Sequence, residues 1–190
     1  MFEEFSKYLL ARANFTADEL SQIKAVCREI KVNKGDFLLQ SGTLWGYNAH
    51  VCRGLMHTFT IDPDGKHHTV SFGPQNYWVG DRESLLTGNP ATYNVQALED
   101  TWLLLITQND FRLICKNIDA FNCLLNGIIQ KNLLITQKRI FEEMTLSDEE
   151  KYLNFLKKYG QAANRIPLHM VASYLNVTVA VVEKLHSKRL

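Results

Sequence analysis

The spacing of apolar positions changes along this chain, and each change marks a different kind of element. From Glu3 to Arg28 the spacing is helical. Phe5, Tyr8 and Leu9 share one face, Asn14-Phe15-Thr16 interrupts it, and Leu20, Ile23 and either Val26 or Cys27 resume it. Thr16 followed by Glu19 reads as a capping box that starts the second helix. From Ile30 to Ile106 short apolar runs alternate with turn signals at Gly35-Asp36, Ser41-Gly42, Arg53-Gly54, Asp62-Pro63-Asp64-Gly65, Gly73-Pro74 and Gly88-Asn89-Pro90. Turns about 8–12 residues apart predict an antiparallel β unit. Leu55–Thr60 and Lys66–Ser71 flank the Asp-Pro-Asp-Gly turn as a hairpin, and Thr101–Ile106 is the closing strand.

Beyond Gln108 the period becomes that of a heptad seam. Phe111, Ile114, Ile118, Phe121, Leu125, Ile128, Asn132 and Ile135 follow steps of three and four, which predicts one helix over 108–145. A lone helix cannot hide such a stripe, so the seam is expected to pack on the β unit or on a second copy of itself. Asn132 either sets the register of such a pair or faces water. Ser147 with Glu150 caps a further helix that carries Tyr152, Leu153, Phe155 and Leu156 and ends near Tyr159-Gly160.

Residues 168–190 then meet every requirement of a tight helical corner. Ala172 is the small residue that allows a close crossing, and Asn176 tolerates the left-handed turn. Thr178 caps the next helix, and Val171, Leu175, Val177, Val182 and Leu185 pin the two helices together. This is the helix-turn-helix pattern, whose second helix enters a DNA major groove. Thr178, Val179, Ala180, Glu183, Lys184 and Ser187 fall on the face that can meet DNA, with Lys188 and Arg189 placed for phosphates.

Composition limits the alternatives. The 190 residues are 46% hydrophobic with a formal net charge of +1, so any nucleic-acid footprint must be a local patch. Cys27, Cys52, Cys115 and Cys123 match no metal-cluster spacing. His57, His67 and His68 lie on the hairpin, where a metal pair is less expected than exposed side chains, because His67 and His68 alternate faces. No metal or other cofactor is expected. Neither a leader nor a membrane span is read, which predicts a cytoplasmic protein without a membrane partner. Paired carboxylates, a nucleophile–base pair and a phosphate loop are all missing, so the chain is not read as an enzyme.

The order helix, β-roll, long helix, helix-turn-helix resembles the Crp/Fnr family of bacterial transcription regulators. Gly35–Gly42, Val51–Gly54, Tyr77–Asp81 and Val95–Leu98 look like that family's β-roll motifs. The resemblance implies an α+β architecture: a cupin-like, cyclic-nucleotide-binding-like antiparallel β-roll (a double-stranded β-helix) with a long dimerisation helix, then a small all-α head. It implies a sensory domain over 1–145, including the dimerisation helix 108–145, and a DNA-binding domain over 146–190. It also implies a homodimer paired through the seam above, with double-stranded DNA and RNA polymerase as partners and a small effector held by Gly80, Asp81, Arg82, Ala91, Thr92 and Tyr93. Nucleotide-binding members carry Glu where this chain has Asp81 and an Arg where it has Ala91, and a methyl group cannot pair with phosphate. Arg82 neighbours Asp81, but adjacent side chains on a short helix point apart. The effector is therefore expected to be something other than cyclic AMP, or none. Many relatives have Ser-Arg where Glu183-Lys184 stands. A ligand-sensing or protein-interaction module that has lost DNA recognition is thus the alternative.

Overall fold

The apolar run Thr101-Trp102-Leu103-Leu104-Leu105-Ile106 becomes a strand shared by two hydrophobic cores. The computed structural model describes residues 1–188. They form eight helices, α1 (Phe2–Leu10), α2 (Ala17–Ala25), α3 (Arg82–Thr87), α4 (Gln108–Asn117), α5 (Asp119–Thr145), α6 (Asp148–Tyr159), α7 (Leu168–Leu175) and α8 (Val179–Ser187). The eight strands are β1 (Arg28–Val32), β2 (Phe37–Leu39), β3 (Tyr47–Arg53), β4 (Leu55–Ile61), β5 (His67–Pro74), β6 (Trp78–Val79), β7 (Asn94–Ala97) and β8 (Thr101–Thr107). The strands make two four-stranded sheets, in the orders β1-β8-β3-β6 and β2-β7-β4-β5.

Strand β8 is apolar on both faces because both faces are covered. Leu103 and Leu105 point into the roll with Val32, Leu39, Trp45, Val51, Met56 and Val95. Leu104 and Ile106 point the other way, under Phe5, Leu9, Ile23, Phe111 and Phe121. The chain divides into two compact units: Met1–Thr58 with Phe72–Ile129, and Phe59–Ser71 with Gln130–Leu190. Both of these core clusters belong to the first unit. Burial pushes the Cys27 and Cys52 thiols up to about 12, which leaves them protonated and inert.

The single helix expected over 108–145 is corrected to two. Ile118 lies between them in an extended conformation, φ −124° and ψ 97°. Its N–H still donates to the Ile114 carbonyl at 2.9 Å, and its own carbonyl accepts from Phe121 N at 3.0 Å. Asn117 and Asp119 on either side are residues that favour helix ends over helix interiors. The seam is corrected with it. Phe111, Ile114, Ile118 and Phe121 are buried in the first unit's own core, which removes them from contact with a second chain. Leu125 and Ile128 are partly covered by that core, whereas Asn132 and Ile135 are exposed. From Gln130 to Lys138 every residue of α5 is exposed, Leu133 and Leu134 included, and Ile140, Phe141 and Met144 continue the uncovered apolar surface.

The second unit is built on aromatic contacts. Phe155, Tyr159 and Tyr174 form a triangle with ring centroids 5.0, 5.5 and 5.8 Å apart. A 3-10 turn, Gly160–Arg165, buries Ala162 and Ala163.

Candidate functional site

The corner read from the sequence is present in the described residues. Helix α7 ends at Asn176, whose φ of 54° and ψ of 43° are left-handed. Val177 N then donates to the Ala172 carbonyl at 3.1 Å, closing the turn at the small residue. The Thr178 side chain accepts from Val181 N and caps α8. Val171, Ala172, Leu175 and Val182 are buried, and Val177 and Leu185 are half-buried. The Tyr152 hydroxyl lies 2.9 Å from His186 Nδ1, fixing α8 to α6.

That packing decides which face of α8 is left over. Thr178, Val179, Ala180, Glu183, Lys184, Ser187 and Lys188 are all exposed. They recur at helical spacing, so they form one continuous strip. Arg189 lies outside the described residues. The strip carries Lys184 and Lys188 as cations and Glu183 as an acid. It can therefore meet phosphate and present an acceptor to a base amino group.

The residues expected to hold an effector come together with one exception. The structure buries Asp81 at the start of α3, with 1% of its surface exposed. Its Oδ1 accepts from Ser84 N at 3.0 Å, and its Oδ2 accepts from Thr92 N at 2.8 Å and Tyr93 N at 3.3 Å. Gly80 has φ 129°, and a Cβ there would stand 2.5 Å from Trp45 Nε1, so only glycine fits. Ala91 is buried. Arg82 is exposed on the first turn of α3, apart from the carboxylate cluster. Sequence reading missed the capping role of Asp81, although Asp followed three residues later by Ser, ahead of Leu-Leu, is an available N-cap signal.

The histidine expectation is corrected for His57, which is buried and stacked on Phe72 at 5.3 Å. His67 is exposed. His68 is partly so and lies 2.7 Å from Asp62 Oδ2. Among the described residues no group of three or more His, Cys, Asp or Glu could hold a metal ion. No described helix is long and apolar enough to cross a membrane.

A further arrangement had no sequence signal. Arg139 of α5 donates to the Val70 carbonyl at 2.7 Å and to the Tyr174 carbonyl at 3.0 Å, and its guanidinium lies 4.1 Å over the Tyr174 ring. Ser173 Oγ accepts from Thr69 N at 2.9 Å and donates to the His67 carbonyl at 3.1 Å. Within the second unit, this clasp ties the hairpin end to α7. Arg139→Ala is expected to cost about 2 kcal/mol, from two charge-assisted bonds and a cation–π contact. Hydrogen exchange should rise at the Thr69 and Val70 amides, and unchanged protection there would contradict the clasp.

Comparison with known proteins adds the following. Residues 29–117 match the family described as the cyclic nucleotide-binding domain. Among curated proteins none matches the chain. Among solved structures, the c-di-GMP responsive global regulator CLP of Xanthomonas campestris superposes with a TM-score of 0.72 at 10% identity, covering 92% of this chain and 91% of that one. FixK2 of Bradyrhizobium japonicum gives 0.73 at 15% identity over 86% and 84%. The Thermus thermophilus catabolite activator protein gives 0.58 at 18% identity over 92% and 84%. Residues 29–117 thus resemble a cyclic nucleotide-binding domain, and the chain shares the fold of these solved structures over most of its length.

Proposed function

We propose that the protein is a homodimeric DNA-binding transcription regulator of the Crp/Fnr type, with a sensory part over 1–145 and a DNA-reading head over 146–190. The observation that carries this reading is the strip on α8. It follows a left-handed Asn176 corner, and its exposed side chains are those a recognition helix must present. Two such heads would contact half-sites about 34 Å apart. The uncovered apolar surface of α5 from Leu133 to Met144 supports pairing of two copies.

The test is selection of bound fragments from a genomic pool at low salt, with affinity measured as salt rises. Specific fragments should be recovered, and their affinity should fall steeply with salt. Lys184→Ala is expected to weaken binding about tenfold, lowering the salt slope by about 1 if Lys184 meets phosphate. Recovery of no fragment would reject the reading. Glu183, exposed in the middle of the strip, favours a second reading: a module of the same fold that acts through protein partners. Glu183→Gln separates the two, since it raises affinity only if the strip already faces phosphates.

A further inference from the structure

An anion in a pocket of this fold needs inward N–H donors, and the hydrogen bonds show where those donors are spent. Ser84 N, Thr92 N and Tyr93 N converge on the Asp81 carboxylate from two separate segments of chain, at 3.0, 2.8 and 3.3 Å. A buried carboxylate that accepts three backbone N–H bonds is satisfied without a cation, which fits a pocket whose position 91 is a buried alanine. An aromatic ring is packed into the same region. The Trp45 indole lies against the Gly80 backbone so closely that no Cβ fits between them, and it packs in the same core as Ala91, Val95 and Leu105. Trp45 N donates to Ser84 Oγ at 3.1 Å, and Ser84 Oγ donates to the Asn89 carbonyl at 2.6 Å. The Trp45 backbone is thereby tied to the segment that carries the carboxylate.

We infer that the pocket is occupied from within, the Asp81 carboxylate serving as its anion and the Trp45 indole as its ring, so that the protein works without a nucleotide effector. A phosphate ester entering here would meet a like charge and find its donors already engaged. The inference rests on the reading of residues 80–93 as the effector pocket, and not on DNA binding.

Calorimetry and thermal unfolding of the full-length chain with millimolar cyclic AMP, cyclic GMP, cyclic di-GMP and ATP should show no heat and no shift. Saturable binding of any of these tighter than about 100 μM would overturn the inference. The Asp81→Asn variant removes the charge and keeps the shape. In its amide NMR spectrum, Thr92 and Tyr93 should move upfield and exchange faster, whereas unmoved Thr92 and Tyr93 signals would overturn the role of Asp81. Trp45→Ala, or Trp45→Leu if the first variant does not fold, should gain a midpoint rise with millimolar indole that the parent lacks. A folded variant that ignores indole would overturn the role of Trp45. A gel shift on the same preparations keeps the outcomes separate, because nucleotide binding with intact DNA binding defeats only the pocket inference.

Discussion

On the proposed pairing through α5, Phe141→Glu is expected to leave each chain folded while splitting the protein into single chains and lowering its affinity for a two-fold operator at least a hundredfold. Phe141 is 64% exposed, Leu134 65% and Met144 80%, so none of them supports the chain's own core. Gly127, Leu134 and Phe141 fall one heptad apart on α5, and a Cβ at Gly127 would meet nothing within 4 Å. A glycine inside a helix costs about 1 kcal/mol relative to alanine, and a second helix approaching along this line is a use for the missing side chain. In a two-fold interface each substitution counts twice and brings like charges together. Two uncompensated carboxylates at about 2–3 kcal/mol each weaken the pair about a thousandfold or more. Sedimentation equilibrium should therefore report one chain for Phe141→Glu and two for the parent. Leu44→Glu, at a residue 72% exposed outside α5, should remain paired. Half-site binding should be the same in all three. A Phe141→Glu protein that stays paired would place the dimer elsewhere.

Elements with local chemistry were legible in the sequence. The Thr16–Glu19 and Ser147–Glu150 boxes, the Asp-Pro-Asp-Gly hairpin, the left-handed Asn176 and the Thr178 cap each act within a few residues and appear as read. What periodicity could not decide was which partner a stripe faces. Ile114, Ile118 and Phe121 keep the three-and-four spacing of a coiled coil, yet they turn inward across a break at Ile118. A helix packed on its own sheet and one packed on its twin need the same spacing. Asp81 was read by family position as a ligand-binding acid, but its side chain is one methylene shorter than the expected glutamate and instead caps α3. Arg139 had no signal at all, because one of its partners is a backbone carbonyl 69 positions away and carbonyls leave no trace in a sequence. The exposed strip on α8 was legible because it is what remains once the apolar pins are assigned.

Lowering the pH from 6.5 to 5 is expected to remove about 2 kcal/mol of folding stability through a single side chain, His50. This residue is 1% exposed. It is enclosed by the rings of Phe5, Tyr8 and Trp78 at 4.6, 4.7 and 5.1 Å. Its Nδ1 lies 3.8 Å from Cys52 Sγ, and its Nε2 has no hydrogen-bond partner among the described residues. Burial, assisted by the Arg12 charge, depresses its pKa from 6.5 to about 3. The unfolded chain therefore takes up a proton near pH 6.5 that the folded chain refuses. Stability is full above that pH and falls by about 1.4 kcal/mol per unit until the folded pKa is reached. The carboxylates held low by partners, Glu3, Asp62, Asp100 and Glu150, start from 3.8 or 4.5 and lose their contributions only in more acid solution. The interval from pH 6.5 to 5 therefore separates His50 from these carboxylates. His50→Phe suits the aromatic surroundings and deletes the polar atom that lacks a partner, so its stability at pH 7 should be close to the parent's or above it. Urea midpoints recorded from pH 7.5 to 5 should fall more steeply for the parent than for His50→Phe. Parallel curves would mean that His50 already shares a proton in the folded state and that the aromatic box is open to water.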